Sequence, residues 1–205
     1  MYSVDASFGK TLLVLGGARS GKSRHAQAMA EQAAEQAAAQ AAPQAAAQAA
    51  AQGGDLVYVA TAQAFDDEMV DRIVRHRADR DARWRTVEAP IALSEALADA
   101  DGVASVIVVD CLTLWMTNLL LGDHDIEART VDLLAVIARM QGRAVFVSNE
   151  VGMGIVPDNA LARRFRDEAG RLHQRLAAQV DSVDMVFAGL VQRWKGVSPA
   201  QSFHR

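Results

Sequence analysis

Cysteine is all but missing: the chain of 205 residues holds one, Cys111. An internal disulfide framework is therefore excluded, and the usage suits a reducing cytosol. Positive charge is not in excess. Lys and Arg number 21 against 25 Asp and Glu, a net charge of −4, so nothing electrostatic points to nucleic acid or a membrane surface. Long hydrophobic runs are missing too, apart from an Ala/Gln tract too weakly hydrophobic to span a bilayer. Residues 1–10, MYSVDASFGK, lack the basic and apolar regions of a signal peptide. They are expected to be a short disordered extension, and the protein to be cytoplasmic, with no membrane span and no nucleic-acid partner. Apolar residues, at 51%, suffice for a full core in one domain with an appendage.

The chain is organised around Thr11–Ser23, TLLVLGGARSGKS. Thr11–Leu15 reads as a short buried strand. Gly16, Gly17, Ala18, Arg19, Ser20, Gly21, Lys22 and Ser23 then fit G-x-x-x-x-G-K-[ST], and a helix-forming run follows from Arg24. Strand, glycine-rich turn and helix form the context of a phosphate-binding P-loop. Glycines let backbone amides close on phosphate oxygens, and the helix N-terminus adds partial positive charge. Lys22 is expected to reach the β- and γ-phosphates, and the Ser23 hydroxyl to ligate Mg²⁺.

Ala30–Gln52 is nearly all Ala and Gln, interrupted by Pro43 and ended by Gly53-Gly54. Propensity predicts that the first helix overruns to about Ala42, with a loose helix or arm beyond it. With no apolar side chain larger than alanine, this insertion, 31–54, reads as a neutral surface appendage. Asp55–Ala60 reads as a strand running into Thr61-Ala62. Asp66-Asp67-Glu68 should open a helix through Arg83. Strands are predicted at Trp84–Glu88, Val103–Val109, Arg143–Ser148 and Val183–Ala188. Helices are predicted at Ile91–Ala100, Cys111–Leu121 and Ile126–Met140, and a long one, capped by Asp158, to about Gln179. The residues after Gly189 read as a polar, fraying tail. Alternation of strands and helices predicts an α/β domain over 11–189, flanked by the extension 1–10 and the tail 190–205. Its expected class is a doubly wound P-loop NTPase (RecA-like), mostly parallel, with helices on both faces.

Asp110 ends the Val103–Val109 strand, where an acid that holds Mg²⁺ sits in P-loop proteins. Asn149–Pro157, NEVGMGIVP, is a shaped loop just past a strand end, where ligands bind in parallel sheets. His25, His124, His173 and His204 read as structural or solvated. His76 lies among Arg72, Arg75, Arg77, Arg80 and Arg83. These residues leave two readings open: a solvated basic face, or a clamp for a triphosphate with an imidazole able to attack phosphorus. Glu88 and Glu150 could contact a base, act as a general base, or cap. Cys111 reads as a small buried residue. A nucleotide switch and a simple small-molecule kinase remain alternative readings of such a site.

Five segments together carry a resemblance. They are GGARSGKSRHA at 16–26, Tyr58 through ATAQAFDDEM, and RI-x-x-HR-x-x-R-x-x-x-W-x-T-x-E at 72–88; then Asp110-Cys111 with MTNLL, and NEVGMGIVP followed by RxFRDxAGRxxQRLA. Over about Leu12–Phe187 the chain resembles the bifunctional adenosylcobinamide kinase/adenosylcobinamide-phosphate guanylyltransferase family. The resemblance implies phosphorylation of adenosylcobinamide by ATP or GTP, then transfer of GMP from GTP through a guanylylated histidine. The family's nucleophile lies in the RI-x-x-HR segment, where His76 stands here. Ala60, Thr61, Ala62, Arg77, Ala78, Asp79, Arg80, Glu88 and Asp110 are implied nucleotide contacts, with Ser23 and Asp110 on Mg²⁺. A homo-oligomer, commonly a trimer, is implied too. The Ala/Gln insertion, the tail, and Arg75 (where some relatives carry a second histidine) depart from the family pattern.

Overall fold

The computed structural model describes residues 8–40, 56–63 and 80–196. Strands β1 (Thr11–Gly16), β2 (Leu56–Ala60), β3 (Trp84–Glu88), β4 (Val106–Asp110), β5 (Arg143–Asn149), β6 (Ser182–Phe187) and β7 (Leu190–Lys195) form one sheet. Its order is β3-β2-β4-β5-β1-β6-β7. Every pairing is parallel except β6 with β7. The helices are α1 (Lys22–Gln40), α2 (Leu93–Ala100), α3 (Leu112–Leu121), α4 (Ile126–Arg139) and α5 (Ala160–Gln179). This is the doubly wound α/β fold that the alternating pattern predicts.

Strand periodicity sorts the core into two layers. Leu12, Val14, Tyr58, Val106, Val108, Val145 and Val147 face one side, against α1. Leu13, Val57, Val59, Ile107, Val109 and Phe146 face the other, against residues of α2 to α5. Buried β-branched runs such as Val106–Val109 suit strands covered on both faces. The helices carry matching stripes; in α4 they are Ile126, Thr130, Leu133 and Ile137.

Several expectations need correction. Ala26, Ala30 and Ala33 are fully buried in α1, beside Met29. Small side chains let this helix lie close to the sheet, so the start of the Ala/Gln tract is core rather than appendage. Glu31 adds a hydrogen bond from Trp84 Nε1 at 3.1 Å. The expected end of α1 near Ala42 and the arm after it lie outside the described residues, as does the helix from Asp66 up to residue 79. Residues 80–83 are bend and turn, not helix. The cap of α5 is Asn159, whose side chain accepts the Ala162 amide, rather than Asp158. Phe8 is buried, and the Lys10 amide donates to Asp181, so order begins before Thr11. The tail also does not fray at Gly189: β7 pairs along β6, and Lys195 Nζ donates to the carbonyls of Ala177 and Ala178 at the end of α5.

Candidate active site

In a parallel sheet the strand ends that follow one direction collect their loops on one edge, and β1, β2, β4 and β5 do so here. Gly16 closes β1. A Cβ there would stand 2.5 Å from the Val186 carbonyl and 2.6 Å from Ser20 Oγ, so only glycine fits. The loop then turns through Arg19 at φ 55° and Gly21 at φ 98°, both left-handed. For Arg19 this conformation costs about 1 kcal/mol, which the surrounding fold must offset. Among the described residues beyond its chain neighbours, no heavy atom lies within 4 Å of where a Gly17 Cβ would stand, so packing against them does not require that glycine. Ser20 Oγ is buried and has no hydrogen-bond partner among the described residues. An orphaned buried hydroxyl inside a nest of this shape fits a phosphate oxygen.

Lys22 opens α1 and is 6% exposed. Its ammonium donates to the Gly17 carbonyl at 3.2 Å. At the end of β4, burial and then the Asp110 charge push the Cys111 thiol up, against hydrogen bonds with Thr113 and Leu114 and the charge of Lys22. Cys111 is buried, as its composition predicts.

Asp110 ends β4, level with Ala60 of β2, which is level with Glu88 of β3. Tyr58 Oη donates to Asp110 Oδ2 at 2.9 Å. Burial first, then the Asp110 charge, push this phenol far above its ordinary range, so it remains a donor. The Arg80 guanidinium carbon lies 3.8 Å from the centre of the Tyr58 ring. Trp84 meets the same ring edge-on at 6.2 Å. Arg80, expected at the nucleotide, is thus anchored on the tyrosine that holds Asp110. Arg83, from the same basic cluster, pairs with Asp81 at 2.8 Å and is part of an exposed ion pair.

Thr61 shows a different role from the expected nucleotide contact. It is fully buried. Its hydroxyl donates to the Cys111 carbonyl at 2.7 Å and accepts from the Cys111 amide at 2.8 Å. Asn118 Nδ2 donates to its carbonyl at 2.8 Å and to that of Pro90 at 2.9 Å. Thr61 clasps the ends of β2 and β4; Ala60, packed on the α1 side of the core, and Ala62 flank it and are partly exposed. Glu88 is exposed at the end of β3. Glu150 accepts the Gly152 amide, a local cap on the loop after β5. Beyond it, Met153, Ile155 and Val156 stand exposed in the loop after β5.

No cluster of three or more His, Cys, Asp or Glu gathers as a metal site among the described residues. Ser23 and Asp110 offer one hydroxyl and one carboxylate. That hard-oxygen pair suits Mg²⁺, which takes its other ligands from phosphates and water. His76, Arg77, Ala78 and Asp79 lie outside the described residues. Three side chains that sequence reasoning left out of the site sit against it: Tyr58, His25 and Asp184.

The family model described as cobinamide kinase / cobinamide phosphate guanyltransferase, CobU, matches residues 12–194. The chain belongs to that family. Curated relatives agree with the CobU match. The chain is 44% identical to the bifunctional adenosylcobalamin biosynthesis protein CobP of Pseudomonas aeruginosa, over 90% of this chain and 96% of that one. It is 41% and 39% identical to the bifunctional adenosylcobalamin biosynthesis proteins CobU of Salmonella typhimurium and Escherichia coli; each match covers 87% of this chain and 96% of the relative. No described helix is long and apolar enough to cross a membrane.

Proposed function

We propose that the protein performs two successive transfers on one corrinoid: phosphorylation of adenosylcobinamide with ATP or GTP, then guanylylation of the product by GTP through His76. The observation that supports this reading is the glycine-rich loop that closes β1, with Lys22 turned back onto Gly17, on the same edge of the sheet as Asp110 at the end of β4, in a chain matched to the family over residues 12–194.

For the kinase step, the backbone amides of Gly17–Ser23 cradle the phosphates and Lys22 draws charge from the β- and γ-phosphates. Ser23 and Asp110 would hold Mg²⁺, which supplies charge neutralisation on the same oxygens. The corrinoid hydroxyl attacks the γ-phosphorus and gives its proton to solvent; the new O–P bond forms, the β–γ P–O bond breaks, and the nucleoside diphosphate leaves. For the second step, a neutral His76 nitrogen attacks the α-phosphorus of GTP. An N–P bond forms, the α–β P–O bond breaks, and pyrophosphate departs. A phosphate oxygen of the cobinamide phosphate then attacks the same phosphorus, the N–P bond breaks, and adenosylcobinamide-GDP forms. Splitting the reaction replaces one three-body step with two displacements. Ala60, Thr61, Ala62, Arg77–Arg80 and Glu88 line the nucleotide in this reading, Thr61 by way of the strand ends it ties together. Homo-oligomerisation and a cytoplasmic location belong to the same proposal.

Incubation with α-labelled GTP should give an acid-labile protein adduct, absent in His76→Ala and after chelation by EDTA. Adduct that persists in His76→Ala would overturn the covalent step. Lys22→Ala should lower both activities by about 10²-fold or more. Steady nucleotide hydrolysis without corrinoid and without label would favour a switch instead.

A further inference from the structure

Next to the phosphate loop lies a buried chain of ionisable groups that neither transfer uses. His25 stands in the first turn of α1, three residues after Lys22. Its Nε2 is 2.9 Å from Asp184 Oδ2. Arg193 donates to the same carboxylate twice, Nε to Oδ1 at 2.5 Å and Nη2 to Oδ2 at 3.1 Å. The Asp184 and Arg193 side chains are 1% and 3% exposed, and His25 is 11% exposed. Burial alone would raise the Asp184 carboxyl, but His25 and Arg193 outweigh it and hold it below the usual range. An ionised carboxylate only accepts, so His25 Nε2 carries the proton between them.

The three residues come from three elements. His25 belongs to α1, Asp184 to β6, and Arg193 to β7, where it stands opposite Asp184. The β6–β7 hairpin touches the loop elsewhere as well. The Gly189 amide donates to the Ser20 carbonyl at 2.9 Å. Gly189 Cα lies 3.7 Å from where a Gly21 Cβ would stand, and the Val186 carbonyl closes on Gly16. The hairpin thus backs the loop at Gly16, Ser20 and Gly21, and reaches the helix start through Asp184.

Burying such charges costs desolvation, and an apolar trio could fill the same space at less cost. A bidentate arginine on a carboxylate adds direction. Arg193 fixes the plane of Asp184, and Asp184 fixes His25. We infer that His25 and Asp184, oriented by Arg193, are positioning residues for the phosphate loop. They set the first turn of α1, and with it Lys22 and Ser23, against the sheet. This rests on the P-loop reading of residues 16–23.

The test measures Mg²⁺–GTP affinity by calorimetry and melting temperature on the full chain. His25→Leu should weaken GTP by about tenfold while the chain stays folded, because small displacements of phosphate ligands are costly. His25→Gln, whose amide nitrogen can still donate to Asp184, should recover affinity to within about threefold of wild type. Lys195→Met loosens the far end of the same hairpin. It should lower the melting temperature without changing GTP affinity. If His25→Leu melts lower yet binds GTP as wild type does, the trio is structural only and the inference fails. If Lys22→Ala also leaves GTP affinity unchanged, the P-loop reading itself fails. Should His25→Leu not fold, Arg193→Lys keeps the charge but loses the two-pronged grip. A several-fold loss of GTP affinity would then support the inference, and unchanged affinity would overturn it.

Discussion

Tyr58 decides how Asp110 presents itself. Its hydroxyl occupies Oδ2 while the ring packs between Arg80 and Trp84. Tyr58→Phe keeps the ring and removes only that bond, one made to a charged acceptor. Stability should fall by about 1.5–3 kcal/mol, read as a lower urea midpoint with the folded circular dichroism spectrum retained. His173 makes a second prediction. It is buried with Nε2 2.7 Å from Ser148 Oγ, and burial lowers its pKa despite the opposing pull of Glu150. The folded chain keeps the ring neutral where the unfolded chain protonates it, below the ordinary value of 6.5. Stability is thus complete above that pH and declines as pH falls through the window below it. His173→Gln should flatten that part of the pH–stability curve, measured by urea titration at stepped pH. Residues of the P-loop could be read directly because their partners are neighbours in sequence. Tyr58, Thr61 and His25 could not, since their partners lie 52, 50 and 159 positions away.

At the scale of elements, α1 and β7 show where pattern reading succeeds and fails. A stripe of alanines reads as weakly amphipathic, yet Ala33 is fully enclosed while Ala39 is exposed. Ala33→Gln should overpack the helix–sheet contact and cost about 1–3 kcal/mol, whereas Ala39→Gln should be near neutral; thermal melts of the two variants check this. In β7 the alternation is inverted. Leu190 and Trp194 are exposed, while Arg193 turns inward to Asp184 and Lys195 reaches the carbonyls ending α5. A rule that sends apolar residues inward discards such a strand. Its polar inward face is satisfied by partners that only the assembled fold supplies.

For the molecule as a whole, buried β-branched strands alternating with helices made the α/β class and the P-loop edge legible before any coordinates. The strand order was not, because order depends on which crossovers the packed layers accept rather than on local pattern. The assembly proposed for the protein is a statement at this scale too. Sedimentation velocity should give a species near three times the 22.0 kDa chain, and a lone monomer at micromolar concentration would remove the oligomer from the proposal.

β1 has β5 on one side and β6 on the other. It precedes both in the chain, yet β5 is complete only at Asn149 and β6 only at Phe187. A nascent chain that stops short of Arg143 carries the whole glycine-rich motif but neither strand that flanks β1 in the finished sheet. The phosphate loop is thus mounted by pairings of high sequence separation, and its completion waits on strands made long after it.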